Sequence, residues 1–308
     1  MEKEPEARKE ARKKTRLKWM ILIGILAVLV IAVLALGPRN IDRYIRTAPD
    51  GFFDVELTGE DSVQINGYYG PGGTLTVPDT LRGKPVTVVA GWAFWDNRAL
   101  TEVVIPDGVE VIMPNAFQAC KSLTQMTLGQ GVRSIGSEAF MNCSSLEQIV
   151  IPEKVPAIQS ETFRNCEHLK SVTLPDGLTE IGIRAFSGCS DLTDITLPEG
   201  LTYLASRVFE NCESLTSVRI PDGLKHIKKE TFLGCHSLAS VTLGSGLEVI
   251  WDSAFEDCTA LKEIIIPESV NSIAKDAFKG CTLTVILPHE KEYYLELPAG
   301  DGVTLVQP

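Results

Sequence analysis

Nine phenylalanines set the frame for everything else in this chain. Phe94, Phe117, Phe140, Phe163, Phe186, Phe209, Phe232, Phe255 and Phe278 recur at a uniform step of 23 residues, with no insertion or deletion. All eight cysteines fall three residues after one of them, at Cys120, Cys143, Cys166, Cys189, Cys212, Cys235, Cys258 and Cys281, while the first repeat carries Asn97 there. A unit this short cannot bury its apolar residues alone. Identical units must stack so that each covers the next, which predicts a repeat solenoid.

Each unit reads in three parts. Leu146, Ile149 and Ile151, like Leu169, Val172 and Leu174 or Leu215, Val218 and Ile220, alternate as a strand does. Turn chemistry follows at Pro106-Asp107-Gly108 and Pro221-Asp222-Gly223, with proline setting φ and glycine admitting positive φ. A second short apolar piece, such as Leu178 and Ile181, then leads into the Ala-Phe turn. Nine such turns are expected over residues 93–283. Both ends need covers, because every coil is apolar on its stacking faces. Residues 51–92, with strand signals at Val63–Ile65, Thr74–Val77 and Pro85–Val89, read as the N-terminal cap. After Cys281 the spacing shortens, and residues 284–308 read as the C-terminal cap, ending in a strand over Val303–Val306.

Ahead of the repeats, residues 1–18 are charged, and Trp19 to Gly37 is a run without charge or amide. As a helix that run would span roughly 28 Å, a bilayer's hydrocarbon thickness. A cleaved signal peptide is the competing reading, with Val33-Leu34-Ala35 as a weak site and Ala35-Leu36-Gly37 putting Pro38 just after the cut, but its apolar region is normally shorter. The expectation is one transmembrane signal anchor over 19–37 and a linker over 38–50. Eight Lys/Arg precede the run and three (Arg39, Arg43, Arg46) follow it, so a cell-membrane protein with a cytoplasmic N-terminus and an extracellular repeat domain is predicted.

Net charge is -11, with +4 in residues 1–18 and +1 in residues 38–50, which leaves -16 on residues 51–308. So acidic a body repels phosphate backbones and disfavours nucleic acid.

The unit Ala-Phe-x-x-Cys-x-x-Leu-x-x-Val/Ile-x-Leu/Ile-Pro, followed by Gly-Val/Leu-x-x-Ile, resembles the BspA-type bacterial leucine-rich repeats. The departures are small: Thr162, Val208 and Thr231 replace the alanine, Gly129 and Gly244 replace the strand-ending proline, and Asn97 replaces the first cysteine. The resemblance implies a surface or secreted interaction protein, often adhesive, and not an enzyme.

One cysteine per repeat, without the Cys-x-x-Cys spacing of metal sites, reads as reduced core packing, although strands about 4.8 Å apart would allow bridges. The phenylalanines read as a spine. Cys166 with His168 and Cys235 with His236 suggest a nucleophile pair, but no orienting acid recurs beside them. The acids Asp107, Glu153, Asp176, Glu199, Asp222 and Glu268 form a stripe with the chemistry of a calcium ligand set, but the preference of Asp for turns after Pro explains most of it and the regular calcium-binding repeat signature is missing. No catalytic site, metal or cofactor is expected, and a small-molecule substrate is disfavoured.

Recognition is expected on outward strand positions. One column runs Val104, Thr127, Val150, Thr173, Thr196, Arg219, Thr242 and Ile265, with Lys170, Asp194 and Lys262 among the residues just before it. Threonine is also simply a good strand former, so the pattern has a plain structural reading. The face lacks aromatics, which favours a protein partner, on another cell or within the envelope, over a sugar. A spacer without a ligand is the rival class.

Overall fold

The computed structural model describes residues 50–288 and 302–306. They form a β-solenoid in which most of the 23-residue coils carry two short strands. The first row begins with Gly73–Thr76, continues through Leu100–Val104, Gln125–Thr127, Gln148–Val150 and Ser171–Thr173, and resumes at Ser217–Arg219, Ser240–Thr242, Glu263–Ile265 and Leu283–Ile286. Between these, one coil keeps only a bridge from Ser171 to Asp194. That makes ten coils, one more than the phenylalanines, because the strand Gly73–Thr76 already stacks in parallel on Leu100–Val104. The second apolar piece also becomes a strand, two residues long, as in Ala157–Ile158 and Glu180–Ile181, and forms a second row.

The alternations at the amino end fold as strands too. Phe53–Thr58 and Ser62–Tyr68 make an antiparallel hairpin, and Ser62–Tyr68 lies parallel to Lys84–Val89 at the head of the second row. At the other end Leu283–Ile286 is covered by Val303–Val306, again in parallel.

Inside, the nine phenylalanine rings lie one above another. Every step is stacked, with centroids 4.7–5.7 Å apart and planes within 10°. Tyr68 and Phe53 prolong the pile at the amino end, with Tyr68 5.7 Å from Phe94 and Phe53 5.1 Å from Tyr68. The cysteines are all free and buried. Eight of the nine phenylalanine carbonyls, Phe94 through Phe255, take two bonds: Phe140 O accepts from Cys143 N at 3.1 Å and from Cys166 Sγ, one coil on, at 3.2 Å. A thiol suits this place because it is small and apolar yet still a weak donor. Where threonine replaces alanine the hydroxyl bonds locally, Thr162 to Gln159 O and Thr231 to Lys228 O, so a buried polar atom is satisfied.

The turn before each cysteine is left-handed in every coil. Asp96, Asn142, Asn165, Asn211 and Asp257 have φ of 50–61°, and Gly188, Gly234 and Gly280 have 72–76°. Asn, Asp and Gly are the residues that tolerate this region. Ala119, at φ 62°, is the exception. Ala119→Gly should therefore stabilise the fold by about 0.5–1 kcal/mol. The check is a urea midpoint shifted upward with an unchanged slope.

The membrane placement is corrected. Among the described residues no helix is long and apolar enough to cross a membrane. Their backbone is satisfied by coil-to-coil bonding, as in Phe163 N to Ala185 O at 2.8 Å, rather than by a helical ladder. The run Trp19–Gly37, the tail before it and residues 38–49 lie outside the described residues, as do 289–301, 307 and 308. A single-pass anchor with an extracellular repeat domain is thus unsupported.

Candidate binding face

Parallel pairing in register turns the first row into two outward columns. Glu102 pairs with Gln125 and Val104 with Thr127. Gln148 pairs with Ser171 and Val150 with Thr173; further along, Ser217 pairs with Ser240 and Arg219 with Thr242. Residues between the columns, such as Met126, Ile149, Val172 and Val218, point inward and are buried. The period-two alternation of the strand produces this separation.

Of the expected residues, Thr127, Val150, Thr173, Thr196, Arg219 and Thr242 share one column, and all are exposed. Asp194 stands in the other column beside Ser171. Lys170 and Lys262 sit just before their strands, at the edge of the face. Lys170 Nζ reaches Glu147 at 3.4 Å, and Lys262 Nζ donates to Thr259 O at 2.9 Å. Arg219 pairs with Glu199 at 3.2 Å. These are solvent-facing pairs and contribute little to stability. Two apolar side chains protrude through the hydroxyls, Val150 at 59% exposure and Ile265 at 63%.

Sequence reading missed the exposed Ser171, Ser217 and Ser240, which complete the second column. Counting back two from Thr173, Arg219 and Thr242 would have found them. It also missed exposed aromatics elsewhere on the coil: Trp92, Trp95, Tyr203 and Trp251. Tyr203 carries the Lys228 ammonium 3.8 Å above its ring, and Trp251 meets His226 edge-on at 6.3 Å.

The other candidates fall apart in space. Cys166 Sγ is buried against Phe140 O, whereas His168 is exposed and meets Asp191 at 2.9 Å. His236 likewise turns outward, to Asp257 O. In the acid stripe, Asp107 accepts from Gln130 N and Asp222 from Ser245 N, both at 2.8 Å. The Ser245 amide bond holds the Asp222 carboxyl below its usual range. Among the described residues no group of three or more His, Cys, Asp or Glu side chains is placed to hold a metal ion.

The description "BspA type Leucine rich repeat region" matches residues 87–190 and 157–284, in six copies. The leucine-rich-repeat protein of T. pallidum is 31% identical, with a TM-score of 0.51 over 70% of this chain and 90% of that one. A leucine rich cell surface protein from Faecalibacterium prausnitzii A2-165 is 27% identical, with a TM-score of 0.48 over 77% of this chain and 87% of that one. No curated protein matches. A repeat matched over most of the described coils, beside a leucine-rich-repeat protein 31% identical, leads to one conclusion: the chain belongs to the BspA-type leucine-rich-repeat family.

Proposed function

We propose that the chain is a protein-binding scaffold of the adhesive kind, working without chemistry through the first strand row. The observation that carries the reading is the register itself. It sets Val150 beside Thr173 and Arg219 beside Thr242, at about 4.8 Å per coil, with exposed Thr196 on the coil between them. Their side chains are mostly β-branched and lose little rotamer freedom on docking. Val150 and Ile265 supply apolar contacts within a polar surround, the usual anatomy of a protein interface.

The test is a crosslinking capture with the full chain as bait, using Lys170 and Lys262 as amine anchors beside the face. The parent should recover a specific partner, and the Thr173→Lys, Thr196→Lys double variant should recover at least about tenfold less. Equal recovery by both would remove the site from this face. Recovery of nothing by either would favour a spacer that binds no ligand.

A further inference from the structure

A repeat protein contains its own control, since residues that the fold requires recur from coil to coil. The first phenylalanine coil departs from the pattern twice. Trp92 stands where later coils have Asn, Glu, Arg or Ser, from Asn115 to Ser253, and Trp95 where they have Gln118 through Lys279, none of them aromatic. Both tryptophans are 55% exposed, and they meet edge-on with centroids 6.1 Å apart. Trp92 holds φ of 65°, a region where a bulky side chain is an outlier. Neither ring is needed to fill the core.

Trp95 forms one wall of a groove of about 400 Å³ that crosses the following coils. Arg98, Lys121, Asn142, Asn165 and Glu167 also line it. Arg98 Nε is held by Asp96 Oδ1 at 2.8 Å. Asn165 Nδ2 donates to Asn142 Oδ1 at 3.0 Å, which leaves Asn142 Nδ2 without a partner among the described residues. Two cations, Arg98 and Lys121, face two anions, Asp96 and Glu167, so the lining is electrically balanced.

We propose that this groove binds a neutral oligosaccharide. A sugar ring offers a face of weakly positive C–H groups, which fits the negative face of an indole. Its rim of hydroxyls both donates and accepts, as do the Asn142 and Asn165 amides. The volume falls within the range of small-ligand sites, but those are normally lined by apolar side chains, and this one has a single aromatic plate among polar groups. A phosphate-bearing ligand would need net positive lining, and this groove has none on a body that is itself acidic. None of the groove's residues belongs to a strand, which distinguishes it from the strand row.

The full chain should be titrated with cellotetraose, maltotetraose, xylotetraose and tetra-N-acetylchitotetraose, following tryptophan fluorescence and heat. At least one should bind with a Kd of about 0.1–1 mM. Trp95→Ala should weaken that binding by about tenfold or more and Asn142→Gly, which removes the amide but keeps the left-handed turn relaxed, severalfold, with both variants folding as the parent does. Thr173→Lys should leave it unchanged, which separates this site from the strand row. Silence from all four sugars up to about 10 mM would overturn the proposal. So would binding that survives both groove variants, or a Trp95→Ala defect confined to capture of a protein.

Discussion

Replacing Phe186 with alanine should lower the unfolding free energy by about 3–5 kcal/mol and broaden or split the urea transition. Its ring is fully buried and stacked between Phe163, at 5.4 Å, and Phe209, at 5.7 Å. Deleting it opens a cavity in contact with two neighbours at once. In a solenoid each coil holds only the coils beside it, so a gap in the middle weakens two interfaces and can uncouple the halves. The rotamers of Phe163 and Phe209 cannot close the space, since each is already pinned by the next ring along. Circular dichroism during urea unfolding reads the effect. A single transition displaced by less than about 1 kcal/mol would show that the spine is not what couples the coils.

The second large effect is a loss of stability in alkali. Burial pushes the thiols of Cys143, Cys166, Cys189, Cys212, Cys235, Cys258 and Cys281 above their ordinary value of 9.0, Cys235 to about 12 and Cys281 to about 11. Below pH 9 both folded and unfolded chains keep these protons, and the stability is fully present. As pH rises past 9 the unfolded chain ionises while the folded one does not, so the balance shifts toward unfolding. One pH unit above the free value costs about 1.4 kcal/mol per thiol, or about 10 kcal/mol for seven that open together. Tyr68, buried at the amino end and raised to about 12, acts in the same direction at higher pH. Urea midpoints should be level from pH 7 to pH 8 and fall steeply by pH 10. Thiol labelling at pH 8 should be silent in the native protein and count all eight cysteines in denaturant. A midpoint that stays constant to pH 10 would mean that the thiols ionise as readily in the folded coils as in the unfolded chain.

The repeat could be read without coordinates because its signal is periodic. Phe163, Cys166, Leu169 and Val172 keep one spacing from unit to unit, broken only at Asn97 and after Cys281, and nothing but coil-on-coil stacking satisfies them all. The inward direction of the thiols followed from the same phase. Short-range chemistry was equally legible: Pro-Asp-Gly marks the turn, and the Asp107 and Asp222 carboxylates cap it as aspartate does in such turns. What resisted sequence reading was whatever depends on two coils meeting. Ser171 gains significance only when Asp194 lies beside it. The second strand row of two-residue pieces is too short for alternation to register, and the tenth coil appears only because Gly73–Thr76 finds a parallel neighbour. The Trp95 groove joins residues from four successive coils, which no local pattern connects.

The division follows from the range of the forces. Periodic burial is a property of each unit, so sequence alone determined the solenoid, its 23-residue pitch, its phenylalanine spine and its family. Tertiary structure alone decided which side chains become neighbours across coils: Ser171 beside Asp194, the second bond that the carbonyls of Phe94 through Phe255 accept from the thiol one coil on, and the polar groove beside Trp95. Those depend on register between strands, and register is set by the stacking of the whole array rather than by any one repeat.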